Sequence, residues 1–257
     1  MQAYQSKMKR AICLSQVIIL LITLTGCTPF NSKDDNLQKT SNSQEVSKIK
    51  PNRELELVAV KEASEKDSSP SKAAIHQYEF HFKDKSKSSP SKGSIVNEAT
   101  LGNRSIVILN TQEQDNNFAL FDYENEKNLW RIRSLITLDV KNGQYFKDKG
   151  GLKLPFEKFV VATSTDSNPE IWSFADHKNI VAIAKYKEFP FESDINTLTI
   201  DSGNRKYYSY KKNKKEFMFY HDSEYIVVIS GNLAFKDMVK LADSLPTVSS
   251  ANFPRNN

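Results

Sequence analysis

The feature that most constrains the fold is a long succession of short apolar segments between residues 78 and 230. In the first, Tyr78, Phe80 and Phe82 alternate with charged or polar residues, which is the period-two pattern of a strand buried on one face. The later segments are 104–109, 118–123, 129–140, 159–163, 170–174, 179–186, 196–200, 207–210, 217–220 and 225–230. Turn residues such as Asn142-Gly143 and 201–204 separate them, which favours hairpins. The pattern predicts an α+β fold with a mainly antiparallel twisted sheet, for which a half-barrel is one available form.

One helix is predicted at the end of this strand-rich region. Apolar side chains recur at three- and four-residue steps from Leu233 to Leu245, and charged residues occupy the other face. Gly231 precedes the segment and Pro246 ends it. We expect the apolar face of the helix to pack on the sheet, and core packing alone explains the pattern.

The N-terminus has the organisation of an export signal. Lys7, Lys9 and Arg10 are followed by an uncharged, mostly apolar stretch at 11–24, which corresponds to a basic region and an apolar core. The stretch is shorter than the ~20 residues that a membrane-spanning helix requires. A cleaved signal is therefore favoured over a permanent transmembrane helix.

The apolar stretch ends in Leu24-Thr25-Gly26-Cys27, which resembles the lipobox of bacterial lipoproteins. The resemblance implies cleavage between Gly26 and Cys27 and attachment of a diacylglyceryl group, with acyl chains such as palmitate, to the Cys27 sulfur. Two acyl chains anchor a protein stably, whereas one does so only marginally. The expected location is the extracytoplasmic face of the cell membrane. The alternative is that Cys27 merely ends an uncleaved anchor.

Composition narrows the chemistry of the processed chain. The only cysteines are Cys13 and Cys27, so after cleavage and lipidation no thiol would remain for catalysis, zinc binding or a disulfide. The formal charge of the whole chain is +5, but removal of the three basic residues of the signal leaves 33 basic and 31 acidic residues, a net charge of +2. Nucleic acid is therefore not an expected partner, and neither a cofactor nor a metal ion is predicted.

The chain is predicted to have four parts. A signal peptide at 1–26 precedes a disordered, lipid-anchored linker at 27–74, which is rich in Ser, Asn, Lys and Glu and has little apolar surface to bury. Within this linker, 54–60 could form a short strand. The globular domain spans 75–246, and 247–257 is a disordered tail. The related sequences Ser-Ser-Pro-Ser-Lys at 68–72 and 88–92 are interpreted as loops.

Histidine is the main candidate for acid–base chemistry. His76 and His81 are five residues apart near a predicted strand, so they would face opposite sides and make a poor metal pair. His177 and His221 each follow or precede an aspartate in a turn, Asp176 and Asp222. A His–Asp pair can orient a base, but hydrolysis also needs a nucleophile, and none of the common hydrolase motifs is present.

A basic cluster in the last third of the chain is a candidate contact surface. It comprises Arg205, Lys206, Lys211, Lys212, Lys214 and Lys215. Tyrosines lie between these residues, and the cluster could contact anionic wall polymer or lipid headgroups. A solvated hairpin loop is the alternative.

Near the C-terminus, the aromatic segment 215–220 is followed by a turn, the segment Tyr225-Ile226-Val227-Val228-Ile229-Ser230-Gly231 and a helix ending in Ala242-Asp243-Ser244-Leu245. In this order of elements the last 40 or so residues resemble a domain of unknown function found in Gram-positive lipoproteins and anti-sigma-factor-like proteins. Phe219 replaces the usual tryptophan. Ala234 replaces the usual helix cap, which leaves Asn232 or Asp237 to satisfy the first amides of the helix. The resemblance implies no catalytic residues.

Two functions follow as hypotheses. The first is a non-enzymatic, membrane-anchored envelope lipoprotein that binds or senses a protein, a wall polymer or a lipidic ligand. The second is a surface-attached hydrolase that uses His177 or His221 with nearby acidic residues. A shared cleft with a serine or aspartate in hydrogen-bond reach of these histidines would favour the second.

Overall fold

The computed structural model describes residues 55–111, 117–147, 151–192, 197–202, 205–212 and 215–255. The predicted signal peptide, the predicted cleavage site at Gly26, the predicted lipidation site Cys27, most of the predicted linker and Lys214 lie outside these ranges. The α+β class is confirmed, because the described chain is mainly antiparallel strands with a helix near its C-terminal end. No helix among the described residues is long and apolar enough to cross a membrane.

The elements follow one another along the chain as fifteen strands and two α-helices within the described ranges. They are β1 (Leu55–Val60), α1 (Pro70–Gln77), β2 (Tyr78–Phe82), β3 (Lys87–Ser88), β4 (Ile95–Leu101), β5 (Arg104–Thr111), β6 (Asn117–Glu126), β7 (Leu129–Asp139), β8 (Phe146–Lys147), β9 (Lys158–Ser164), β10 (Glu170–Ala175), β11 (Ile180–Lys187), β12 (Thr197–Ser202), β13 (Arg205–Lys212), β14 (Lys215–Asp222), β15 (Tyr225–Gly231) and α2 (Phe235–Ser244). The predicted segment 129–140 forms one strand, β7, with a bulge at Arg133 in its pairing with β6.

The strands form three antiparallel sheets that do not close into a barrel. Strands β1, β2 and β3 form the first sheet and β4, β5, β6 and β7 the second, each in sequence order. The third has eight strands in the order β12-β13-β14-β15-β11-β10-β9-β8. Strand β15 is therefore paired with β11, which is distant in sequence, and this pairing joins two hairpin-built halves of the sheet.

The four-stranded sheet is buried on both faces. One face contributes Ile106, Ile108 and Leu120 to a core shared with the eight-stranded sheet. The opposite face contributes Val107 and Phe121 to a core shared with β2 and α1. This explains why β5 and β6 have nearly continuous apolar runs rather than a strict alternation.

Helix α2 covers the other face of the eight-stranded sheet. Met238, Leu241 and Ala242 pack there with Met218 and Val227, as the three- and four-residue spacing predicts. The expected capping role of Asn232 is wrong, because its side chain accepts a hydrogen bond from Ile180 N (2.8 Å) and donates one to Lys178 O (2.7 Å). Ala234 occupies the N-cap position without a side-chain cap bond.

The folded region begins earlier than the predicted boundary at residue 75. Strand β1 pairs with β2, and α1 starts within the first Ser-Ser-Pro-Ser-Lys sequence, where Ser69 accepts a hydrogen bond from Lys72 N. Proline is well placed in the first turn of such a helix because it has no amide hydrogen to satisfy. Ala73 and Ala74 are fully buried, so small apolar side chains order a segment whose composition resembles a linker.

The described part of the predicted disordered tail is also packed. Val248 and Phe253 are buried against the eight-stranded sheet. The Phe253 ring makes an edge contact with Trp172, with ring centroids 5.2 Å apart. Two widely spaced apolar residues give no periodic pattern, and so the sequence does not reveal this packing.

Strand β4 is an element that the apolar pattern does not predict. Its sequence contains Asn97, which is fully buried and donates to Glu216 O (2.8 Å) and Gly231 O (2.9 Å) in the eight-stranded sheet. The amide group of Asn97 thus connects the four-stranded and eight-stranded sheets. Because asparagine is polar, the sequence gives no sign that this position is buried. This connection places β4 beside β14, which sets the geometry of the site described next.

Candidate functional site: a cleft between two sheets

A cleft of about 660 Å³ opens between the four-stranded and eight-stranded sheets. Helix α1 and β4 line one side, and β13 and β14 line the other. Residues Phe191 and Glu192, in the segment after β11, and Thr197 of β12 also line it. We call this cavity the intersheet cleft. Its volume is in the range of ordinary small-molecule sites.

The walls of the intersheet cleft are largely apolar and aromatic. The apolar lining residues are Ile75, Ile95, Leu101, Phe191, Phe217 and Phe219. Phe191 meets Phe219 edge-on at 5.5 Å between ring centroids, and Tyr208 stacks on Phe219 at 5.1 Å. The alternation of β14 creates this wall, because Lys215, Phe217 and Phe219 project on one face and Met218 and Tyr220 enter the α2 core on the other.

A glycine in the turn between β4 and β5 allows the aromatic wall to form. Gly102 has φ = +53°, and a Cβ atom there would lie 2.9 Å from the Cβ of Phe191. Any other residue would be strained in this backbone conformation and would push Phe191 outwards. Gly102 therefore positions the segment that carries Phe191.

The rim of the intersheet cleft is charged and predominantly basic. Lys72, Lys92 and Lys215 line it together with Glu98 and Glu192. Burial lowers the pKa of the Lys215 ammonium, and nearby Glu98 partly offsets this by favouring the charged form. Glu98 is itself a hydrogen-bond acceptor for Ser71 and, at 3.3 Å, for Thr100.

The two related Ser-Ser-Pro-Ser-Lys sequences meet at this rim. The first supplies Lys72 from α1, and the second supplies Lys92 from a short 3₁₀ helix, Lys92–Ser94. Both segments were predicted to be loops, but a helix begins in each of them: α1 starts after Ser69, and the 3₁₀ helix starts after Ser91. The internal similarity was the one available signal that these two lysines have related positions.

The predicted basic contact surface is divided by the structure. Arg205 lies at the α2 end of β13, where it donates to Ala242 O (2.9 Å) and its guanidinium stacks over Tyr220. Lys206 lies near the Tyr208 ring, and Lys211 is 3.9 Å from Glu216. Of the predicted residues whose side chains the structure describes, only Lys215 lines the intersheet cleft. Lys212 is the last residue of β13.

The structure does not bring His177 and His221 together. His177 lines a surface cavity with Tyr145, whose hydroxyl is 3.1 Å from its Nε2 atom. His221 lines a different cavity, and its Nδ1 atom is 3.4 Å from Glu188. Within the described residues, neither ring has a hydrogen bond to a serine or an aspartate.

The adjacent aspartates have other partners. Asp176 accepts hydrogen bonds from the amides of Lys178 (2.7 Å) and Asn179 (2.6 Å), which closes a turn. Asp222 accepts one from Val248 N (3.2 Å). These carboxylates stabilise backbone turns, and neither forms a hydrogen bond with the ring of His177 or His221.

The other two histidines also contact separate carboxylates. His76, in α1, is 3.1 Å from buried Asp67, and His81, in β2, is 2.7 Å from Glu79. Over the described ranges, no group of three or more His, Cys, Asp or Glu side chains is arranged to hold a metal ion.

Comparison with known proteins gives no family assignment. No protein-family model matches the chain, and no curated protein matches it. The resemblance of the last 40 residues to a domain of Gram-positive lipoproteins remains a prediction. The site is therefore interpreted from its own geometry.

Proposed function

We propose that this protein is a lipid-anchored lipoprotein of the bacterial envelope, and that its folded region binds an amphiphilic, lipidic ligand in the intersheet cleft without transforming it. Cys27 would hold the protein on the extracytoplasmic face of the cell membrane. The segment between Cys27 and β1 would connect the anchor to the binding region.

The observation that carries this proposal is the combination of a sizeable apolar cleft with a polar mouth. Partly exposed Ile75, Ile95 and Phe191 offer a surface on which an alkyl chain can be removed from water, at about 25 cal/mol for each Å² buried, and Phe217 and Phe219, which are 2% and 3% exposed, lie behind it. Sites with mainly apolar walls and a few polar groups are typical of small-molecule binding. Ser71 and Glu98 form a hydroxyl–carboxylate contact at the rim, but none of the four histidines lines the cleft, which favours binding over the hydrolysis by His177 or His221 that was the alternative.

The proposal is tested by titration with a neutral single-chain amphiphile, dodecyl maltoside, below its micelle concentration. The protein is the whole processed chain, residues 27–257, with Cys27→Ser so that no attached acyl chain competes. We expect saturable binding by calorimetry, together with shifts of the amide resonances of Leu101, Phe217 and Phe219. Absence of saturable binding would contradict the proposal.

A pair of tryptophan variants locates the binding. Ile75→Trp adds a large ring to the wall of the intersheet cleft and is expected to weaken binding at least about fivefold by filling the space. Leu198→Trp adds the same ring at a side chain that is 61% exposed and outside the cleft, and should leave binding unchanged. Equal affinities of both variants and the parent chain would place the ligand elsewhere.

A further inference from the structure

Two ammonium groups at the intersheet cleft lack a direct contact with a described acceptor side chain, although Glu98 lies near enough to Lys215 to favour its charged form. Neither Lys92 nor Lys215 makes a hydrogen bond or an ion pair with any side chain that the structure describes, whereas Lys72 donates to Ser68 at 3.0 Å. Lys215 is half-buried beside the aromatic wall. A charged group that has lost part of its hydration is stabilised by a counter-charge or hydrogen-bond acceptor.

One of the two acidic groups among the described lining residues is already hydrogen-bonded. Glu98 accepts hydrogen bonds from Ser71 and Thr100, so its carboxylate already has neutral donors. Glu192 is exposed to solvent at the edge. Among the lining residues that the structure describes, three lysines stand against two glutamates, an excess of one positive charge.

The lysines reach the mouth from both sides of the cleft. Lys72 and Lys92 belong to the segments that pack with the four-stranded sheet, and Lys215 begins β14 of the eight-stranded sheet. On β14 the next residues of the same face are Phe217 and Phe219. A ligand with its chain along these rings would therefore have its head group close to Lys215.

From this arrangement we propose that the ligand of the intersheet cleft is a single-chain lipid with an anionic head group, a carboxylate or a phosphate, which Lys215 and Lys92 bind while the chain lies against Phe217 and Phe219. This inference rests on the proposed function and specifies its ligand class. Charge-assisted hydrogen bonds are stronger than those between neutral groups, so the head group would provide the selectivity. The alkyl chain would provide most of the apolar surface that is buried on binding.

The test compares three amphiphiles with the same twelve-carbon chain at pH 7.5 and below their micelle concentrations. Dodecanoate is anionic, dodecyl maltoside is neutral and dodecyltrimethylammonium is cationic. With the processed chain carrying Cys27→Ser, we expect dodecanoate to bind at least about tenfold more tightly than dodecyl maltoside, and the cationic amphiphile to bind most weakly. The difference should shrink as salt is added.

Lysine variants assign the selectivity to the mouth of the cleft. Lys215→Gln should lower dodecanoate affinity about tenfold and leave dodecyl maltoside affinity within about twofold; Lys92→Gln should have a smaller effect of the same kind. Lys236→Gln, at an exposed position on α2 outside the cleft, is the matched control and should change neither. Thermal unfolding of each variant checks that it is folded.

The outcomes separate the two proposals. Equal affinities for dodecanoate and dodecyl maltoside, tighter binding of the cationic amphiphile, or unchanged dodecanoate binding by Lys215→Gln would overturn the anionic head group and leave the cleft as a lipid site. Failure of all three amphiphiles to bind would overturn both the head-group inference and the proposed function.

Discussion

A buried carboxyl group links the four-stranded sheet to the eight-stranded sheet across their shared core. Asp122 on β6 is fully buried and accepts a hydrogen bond of 2.9 Å from the hydroxyl of Tyr186 on β11. Burial raises the pKa of Asp122 to about 7, although the Tyr186 hydrogen bond and the charge of Arg104 act in the opposite direction. At neutral pH this carboxyl group is therefore close to its titration midpoint.

The raised pKa of Asp122 predicts a stability that falls as pH rises. Between the unfolded pKa of 3.8 and the folded pKa of about 7, the folded state binds the proton more tightly than the unfolded state does. The free energy of unfolding should therefore decrease across this window, by an amount on the order of 4 kcal/mol for a shift of this size. Asp122→Asn keeps the shape and the acceptor for Tyr186, and should remove this dependence and stabilise the protein at pH 8.

Urea unfolding at pH 5 and pH 8 measures this effect. Asp166→Asn changes an exposed aspartate and serves as the control, which should follow the parent chain at both pH values. If Asp122→Asn altered the free energy of unfolding equally at pH 5 and pH 8, the interpretation of Asp122 would be wrong. The comparison needs no knowledge of the ligand.

At the level of secondary-structure elements, the pairing of β11 with β15 depends on a close backbone approach. Gly231 lies opposite Val181 at the end of β15. A Cβ atom at Gly231 would be 2.1 Å from Ile180 O and 2.9 Å from Val181 Cα. Because both are backbone atoms, neither can move aside without separating the strands. The glycine that ends the apolar segment 225–231 is thus required by this contact.

Gly231→Ala is expected to destabilise the protein by about 2 to 3 kcal/mol, since crowding in a packed core has this order of cost. The measurement is the denaturant midpoint at constant slope. Gly93→Ala is the matched control, because its new Cβ would have only an ordinary contact of 3.5 Å with Ser91 Oγ. Similar midpoints for both variants would show that the strands accommodate the methyl group.

The strands illustrate which elements can be predicted from local pattern. Those of the β13, β14 and β15 meander were predicted because aromatic and β-branched residues alternate between turn signals. Strand β4 was missed because Asn97 and Glu98 interrupt its apolar residues, and the reason for Asn97 is a hydrogen bond to a different sheet. Helix α1 was missed because its burial depends on Ala73 and Ala74, which are too small to form a strong apolar pattern.

At the scale of the whole molecule, the proposed anchor predicts where the protein is found. The processed chain carrying the parent Cys27 should partition with membranes, and mass spectrometry should find Cys27 modified by lipid at the new N-terminus. Cys27→Ser removes the thiol that would accept the lipid and should prevent both modification and anchoring. An unmodified Cys27 in membrane-bound protein would contradict the lipoprotein assignment.

A second variant separates loss of the lipid from failed export. Cys13→Ser changes the cysteine within the predicted signal and should leave the modification of Cys27 unaltered. If Cys13→Ser and Cys27→Ser released the protein to the same extent, the cause would be failed export rather than loss of the lipid. Fractionation of cells and mass spectrometry of the membrane pool provide both readouts.

The sequence by itself determined the α+β class, most strands of the antiparallel sheets and the position of the C-terminal helix, because alternation and helical spacing are local consequences of which side chains are buried. It also supplied the prediction of a lipid anchor, since that motif is read along the chain. Only the tertiary structure decided that the four-stranded sheet is covered on both faces, that the folded region begins before residue 75, and that Val248 and Phe253 belong to the core. It also decided that Lys72, Lys92 and Lys215 share one cleft. These features depend on contacts between residues far apart in the chain, and no local period encodes such contacts.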